Sequence, residues 1–240
     1  MNLNKSYKRF LAIGCSHGIY ADPKAVEAVL KFKKAYKPHK VIHLGDFVDM
    51  SPFMGSSDNG HGDPIKPDLI GGIEFLKQLE PTDVLAGNHE VRLWRDLHSS
   101  NQLKAFAAET AIDAIDATIL KLHANFYPYN GIWQNMRLAN FIFTHGTIYN
   151  ENSARDMAEI YGNVIFAHTH KPSLQTGRRF DQPIGISVGT LTKRGALEYA
   201  NTRRATLAWG QGFAYGEYTD DKLYPTLFTH DYSEEWKLPK

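Results

Sequence analysis

The sequence predicts an α/β fold, a four-layer α/β/β/α sandwich of two mixed β-sheets packed face to face with helices outside. Three observations carry this. Short apolar runs alternate with segments of helical period through the first half of the chain, as a parallel sheet with crossover helices requires. The second half returns mainly to strand-like runs. Five of the runs end in short polar clusters, the place where open α/β sheets form a ligand crevice.

The elements follow in order. Phe10-Leu11-Ala12-Ile13 is the first strand and stops at Gly14. Asp22 is a good N-cap and Pro23 fits the first helical turn, so a helix opens there and runs to Tyr36. Val26, Val29, Leu30 and Phe32 form its apolar stripe, and Lys31, Lys33, Lys34 and Lys37 load its last turns, where cations suit the helix dipole. Pro38 ends it. Val41 to Leu44 is the second strand, Leu69 to Leu79 the second helix and Asp83 to Ala86 the third strand.

Residues 51–67, from Ser51 to Pro67, are rich in Ser, Gly, Asp and Pro and read as a long active-site loop. An inserted helical segment is expected over 101–124, as one helix or two short ones. Strands are then expected at Asn140–Phe143, Val164–Ala167, Ile184–Val188 and Ala205–Trp209, with a helix over Ser153–Ile160 and a C-terminal hairpin over Phe213–Thr229. No repeat is visible, and one domain is expected over residues 1–240.

Composition narrows the class. With 27 Lys+Arg against 26 Asp+Glu and 42% hydrophobic residues among 240, the chain is neither collagenous, disordered nor a disulfide scaffold. The net charge of +1 argues against a strongly electrostatic partner overall. The apolar runs fall far short of the roughly 18 residues that span a bilayer, so no membrane partner is expected. The basic N-terminus lacks a cleavage site behind it, and a lone Cys15 fits a reducing compartment; a cytoplasmic protein is expected. The oligomeric state is open.

The polar clusters are Gly14-Cys15-Ser16-His17-Gly18, Gly45-Asp46-Phe47-Val48-Asp49, Gly87-Asn88-His89-Glu90, Thr144-His145-Gly146 and Ala167-His168-Thr169-His170. Imidazoles, a carboxylate, an amide oxygen and a thiolate are donors for divalent metals. Cys15 with His17 and His168 with His170 are two apart, and in extended chain such residues face one way. Glycines 14, 45, 87 and 146 allow sharp turns beside the site.

In this order the clusters resemble the signature of calcineurin-type metallophosphoesterases: Asp-x-His, Gly-Asp-x-x-Asp, Gly-Asn-His-Glu, His and Gly-His-x-His. The resemblance runs from residue 9 to about 190. Asp22-Pro23, Leu44 to Asp49 and Trp209-Gly210-Gln211-Gly212-Phe213 are similar to phage and prophage members. It implies two divalent ions (Mn, Zn or Fe), one held by Cys15, His17, Asp46 and His170, the other by Asp46, Asn88, His145 and His168. Asp46 and a hydroxide would bridge them. His89 would be the acid beside the leaving group, Arg92 would hold phosphate, and Asp49 would orient a ligand histidine or the backbone. Cys15 departs from the family's Asp. A thiolate there would favour zinc or iron over manganese, and the alternative is an inert buried thiol that leaves one ion under-coordinated.

The implied activity is hydrolysis of a phosphodiester or nucleotide, with a phosphomonoester phosphatase as alternative and a catalytically silent binding module as the reading from another class. The partner is then a phosphoester substrate, a nucleotide or nucleic acid among them. Lys171 to Arg204 carries seven Lys or Arg against two Asp or Glu, but its aromatic residues, Phe180 and Tyr199, do not alternate with these cations as stacking platforms would need, and a solvated strand face is expected. Structural roles are expected for His39, His43, His61, His98, His123 and His230, with His61 placed in the long loop. Glu90 reads as a helix-start residue, Asn88 has a rival role as helix N-cap, and Tyr127, Tyr129 and Trp133 read as core or sheet edge.

Overall fold

The structure is a computed structural model describing residues 7–54, 64–130, 135–197, 200–201, 204–232 and 235–239. Strands β1 (Lys8–Ile13), β2 (Lys40–His43), β3 (Asp83–Leu85) and β4 (Asn125–Tyr127) run parallel in one sheet. The C-terminal hairpin of β10 (Gln211–Tyr218) and β11 (Leu223–His230) extends it antiparallel beyond β1, giving the order β11-β10-β1-β2-β3-β4. The second sheet is β5 (Met136–Leu138), β6 (Phe141–Thr144), β7 (Val164–Phe166), β9 (Ile184–Ser187) and β8 (Ser173–Thr176), in that spatial order, with β6, β7 and β9 parallel.

The continuous apolar run in β1 is explained by burial on both faces. Phe10 and Ala12 point between the sheets onto Phe143, Ile165 and Ile186. Leu11 and Ile13 point outward, onto Val29 and Phe32 of α1 (Pro23–Tyr36) and Phe75 and Leu79 of α2 (Ile65–Leu79). A further layer forms where α3 (Val91–Asp96) and α4 (Gln102–Lys121) cover Phe47, Val48 and Val84. On the other side Ala154, Met157 and Ala158 of α5 (Ser153–Tyr161) cover Ile142, Val164 and Phe166. This is the expected sandwich of two mixed sheets between helices. No helix among the described residues is long and apolar enough to cross a membrane.

Three expectations need correction. The second helix starts at Ile65, inside the stretch read as loop, because Pro67 in a first helical turn removes an N–H that has no intrahelical acceptor. Ser51–Phe53 form a 3-10 turn, while 55–63, His61 included, lie outside the described residues, as does Trp133. The run at 205–209 is no strand: Arg204–Ala208 form a 3-10 turn, and a short apolar run carries too little periodicity to tell the two apart. The segment over 101–124 is the single helix α4, capped by the Asn101 side chain on the N–H groups of Leu103 and Lys104.

Candidate metal centre

The parallel strands β1, β2, β3, β6 and β7 all end at one crevice between the sheets. Cys15, His17, Asp46 and His170 place one donor atom each within 4.8 Å of one another, and Asp46, His145 and His168 form a second such group sharing Asp46. Asn88 joins the second, its Oδ1 lying 3.0 Å from His145 Nε2 and 2.8 Å from His168 Nδ1. All seven residues are thus brought together.

They converge by a different backbone route from the extended one expected. Cys15, His17, Asp46, His168 and His170 all have left-handed backbone, with φ between 51° and 64°. For non-glycine residues this costs about 1–2 kcal/mol each. Backbone bonds between neighbouring loops oppose the cost: Cys15 N–H donates to Gly45 O, and His17 N–H to Asp46 O, both at 2.9 Å. Two glycines make room. A Cβ on Gly87 would lie 2.1 Å from Asp46 Oδ1, and Gly45, at φ 97°, would meet the Gly87 nitrogen at 2.6 Å.

Tautomers are set from behind. His145 Nδ1 donates to Leu44 O at 2.7 Å, and His17 Nδ1 to Asp49 Oδ1 at 2.9 Å, which turns both Nε2 atoms inward. A neutral His145 then presents a bare lone pair to Asp46 Oδ2 at 3.2 Å and to Asn88 Oδ1 at 3.0 Å. Three acceptors facing each other in a buried site require positive charge among them. Three of the donor pairs, His168 Nδ1–Asn88 Oδ1 at 2.8 Å, His17 Nε2–His170 Nε2 at 3.0 Å and His17 Nε2–Asp46 Oδ2 at 3.8 Å, lie near the tetrahedral edge of about 3.3 Å set by ligand bonds of about 2.0–2.1 Å. The donor set fits divalent cations.

Electrostatics agree. Although burial opposes any charge, the surrounding imidazoles, His145 foremost, hold Asp46 well below the carboxylate range. Burial holds His170 well below the imidazole range and lowers His168 to about 3, helped by His17 and His145 respectively, so both are neutral donors. Burial, then the Asp46 charge, raises the Cys15 thiol; its Sγ accepts the His168 backbone N–H at 3.2 Å.

His89 and Arg92 line a cavity of about 400 Å³ above the donors. His89 Nδ1 donates to Asp49 O at 2.6 Å, and Arg92 Nη1 donates to the same carbonyl at 2.8 Å. Arg92 Nη2 stands 3.2 Å from His89 Nε2. Against its burial, the Asp46 charge holds the His89 imidazole above its ordinary value.

Two sequence readings change here. Glu90 is no mere helix-start residue: fully buried, its carboxylate accepts N–H bonds from Gly87 (2.6 Å), Asp46 (2.8 Å) and Val48 (3.1 Å), clamping two motif loops together. Asn88 is not the cap of α3, whose N-cap position is Glu90; its oxygen faces His145 and His168 instead. Missed as site residues were Asp68, which accepts from the Asp49 and Met50 N–H groups, and Tyr149, Thr206 and Trp209, which wall the cavity. Tyr129, read as core or edge, packs against His145 with ring centroids 5.8 Å apart. Trp209 opens the 209–213 run that carries part of the resemblance, but nothing in that run points to a cavity wall, and the others stand in no motif. His43 keeps a structural role, accepting the Gly45 N–H at 3.2 Å.

A two-sheet sandwich with such a crevice defines a metallophosphoesterase fold, and the chain belongs to the calcineurin-like phosphoesterase family, whose model matches residues 8–181. It is 26% identical to the Gene 54 protein of Mycobacterium phage D29 over 254 aligned positions, covering 92% of this chain and 94% of the relative. The Gene 54 protein of Mycobacterium phage L5 is 25% identical with the same coverage. Among solved structures, an archaeal protein described as a novel phosphodiesterase is similar at 15% identity and a TM-score of 0.45, covering 92% of this chain and 99% of that one.

Proposed function

We propose that this chain hydrolyses a phosphoester, in first place a phosphodiester or nucleotide, with two divalent cations. Cys15, His17, Asp46 and His170 would hold one and Asp46, Asn88, His145 and His168 the other. The observation that supports this reading most is the buried cluster of inward lone pairs around Asp46 and Asn88, with the His17 and His145 tautomers set by Asp49 and Leu44. Bound cations of this kind lower the pKa of a shared water and neutralise phosphoryl oxygens.

The chain's own residues supply the rest. Asp46 bridges the two donor groups, and Glu90 holds the Asp46 backbone in place. His89, its Nδ1 engaged by the Asp49 carbonyl, keeps Nε2 for the leaving-group oxygen, to which it donates a proton. Arg92 Nη2 and His89 Nε2 stand 3.2 Å apart on the cavity wall, where an anionic phosphoryl oxygen would bind both. Asp49 is a positioning residue that acts through His17 and through its own carbonyl.

Hydrolysis of bis-p-nitrophenyl phosphate and p-nitrophenyl phosphate, with manganese, zinc or iron added after chelation, tests the proposal. Faster diester turnover is expected, with a loss of 10²-fold or more in His89→Ala. Faster monoester turnover would make the protein a phosphatase. No turnover with any metal would leave a binding module on the same fold.

A further inference from the structure

The cavity above the donors is walled by two aromatic rings that the chemistry at Asp46 does not use. Trp209 lies on His170 with ring centroids 4.2 Å apart, and Tyr149, in the loop after β6, stands edge-on to His168 at 6.1 Å. Tyr149 is 74% exposed and belongs to none of the core clusters among the described residues. Past Tyr149 and Thr169 the cavity continues into a second depression of about 770 Å³, bounded by Lys171 and Leu207, the latter 80% exposed. A single phosphoryl group with a small leaving group needs only the first space. The second lies along a line of one exposed ring, one exposed aliphatic side chain and one cation.

The basic segment holds two aromatic residues of its own, Phe180 and Tyr199, and the fold brings Tyr149 from outside it to line the second depression beside Lys171. A flat exposed ring such as Tyr149, with the half-buried Trp209 beside the same cavity, matches nucleobases, each of which offers a π-face. Electrostatics disfavour a duplex: net charge is +1, and among the described residues Lys171 is the only cation lining the second depression, with Glu151 lining it too. Ring stacking therefore has to carry the affinity.

We propose that this groove binds a single-stranded oligonucleotide, with the scissile phosphate at the donor cluster, a flanking base on Tyr149 and the next phosphate toward Lys171. Hydrolysis there adds water across one P–O bond, leaving a phosphomonoester on one fragment and a hydroxyl on the other, whose oxygen takes the proton. This rests on the phosphoesterase reading above and names its substrate class.

The test is fluorescence anisotropy of labelled hexathymidylate with a hydrolysis-resistant phosphorothioate backbone, added to the manganese-supplemented full-length protein, beside an abasic strand of equal length. Stacking of about 1–3 kcal/mol per base predicts that Tyr149→Ala weakens hexathymidylate binding roughly 5- to 150-fold. Tyr149→Phe is expected to restore it to within about twofold, and the abasic strand to bind wild type as weakly as hexathymidylate binds Tyr149→Ala. Equal binding of both strands by wild type, or no change in Tyr149→Ala, would overturn the proposal. The readout needs no turnover, so the two readings fail separately. Protein that cleaves bis-p-nitrophenyl phosphate but binds no oligonucleotide refutes the groove alone, whereas base-dependent binding without cleavage of any ester refutes the catalytic reading.

Discussion

Replacing Asp68 by Asn should remove a pH-dependent part of the stability. Asp68 sits in the first turn of α2, only 3% exposed, and accepts N–H bonds from Met50 at 2.8 Å and Asp49 at 3.0 Å. Burial pushes its carboxyl up to about 6, helped by the Asp49 charge and opposed by those N–H bonds. The folded state therefore holds the proton more tightly than the unfolded chain, whose carboxyl titrates near 3.8. Stability from this source is complete below about pH 3.8 and lost as pH rises through about 6. At about 1.4 kcal/mol per pH unit the whole effect is about 3 kcal/mol, of which about 2 kcal/mol falls between pH 4.5 and 7.5. Urea denaturation of wild type and Asp68→Asn, at constant ionic strength with chelator present, measures it. The stability of wild type relative to the variant should fall by about 2 kcal/mol across that range. A difference constant to within about 0.5 kcal/mol would refute the assignment.

Two further outcomes are expected. Cys15→Ala should lose close to one bound ion per chain by elemental analysis, and Cys15→Asp should regain it with a shift from zinc or iron toward manganese, since a carboxylate is the harder donor; unchanged stoichiometry in the alanine variant would take Cys15 out of the ligand set. Glu90→Gln removes one of the two oxygens that hold Gly87, Asp46 and Val48, at a cost of about 2–3 kcal/mol, so its Tm should drop by roughly 4–12 °C. A Tm within about 1 °C of wild type would show that the clamp is dispensable.

The donors were legible because each sits directly after an apolar strand, and parallel strands deliver their carboxyl ends to one crevice whatever lies between them. The sandwich was legible for the same reason: Phe10 to Ile13 and Val164 to Phe166 are apolar on both faces, as strands between two layers must be. Short edge elements were not. Asn125–Tyr127, Met136–Arg137–Leu138 and Ser173–Thr176 are three or four residues long and mixed in polarity, and they become strands by pairing with neighbours already in place. Asp68 and Glu90 escaped because their partners are backbone N–H groups of other loops, which leave no pattern in side-chain identity. Tyr149 escaped because a ring exposed for binding and a ring awaiting a core look alike in a sequence.

The left-handed residues explain why the clamps exist. Cys15, His17 and Asp46 hold unfavourable backbone angles, and without support the motif loops would relax toward ordinary ones and spread the donors. Glu90 ties the Gly87 and Asp46 loops, Asp68 ties Asp49 and Met50, and the Asp49 carboxylate in turn aims His17. One side of the centre is therefore preset by buried carboxylates that touch no donor atom of the cluster except through His17. The other side is not: among the described residues His170 Nδ1 is buried without a hydrogen-bond partner, and His168 Nδ1 faces the same Asn88 oxygen that His145 faces. His17, Asp46 and His145 are therefore already oriented to hold a cation, and only the loop carrying His168 and His170 would be left to order when one binds.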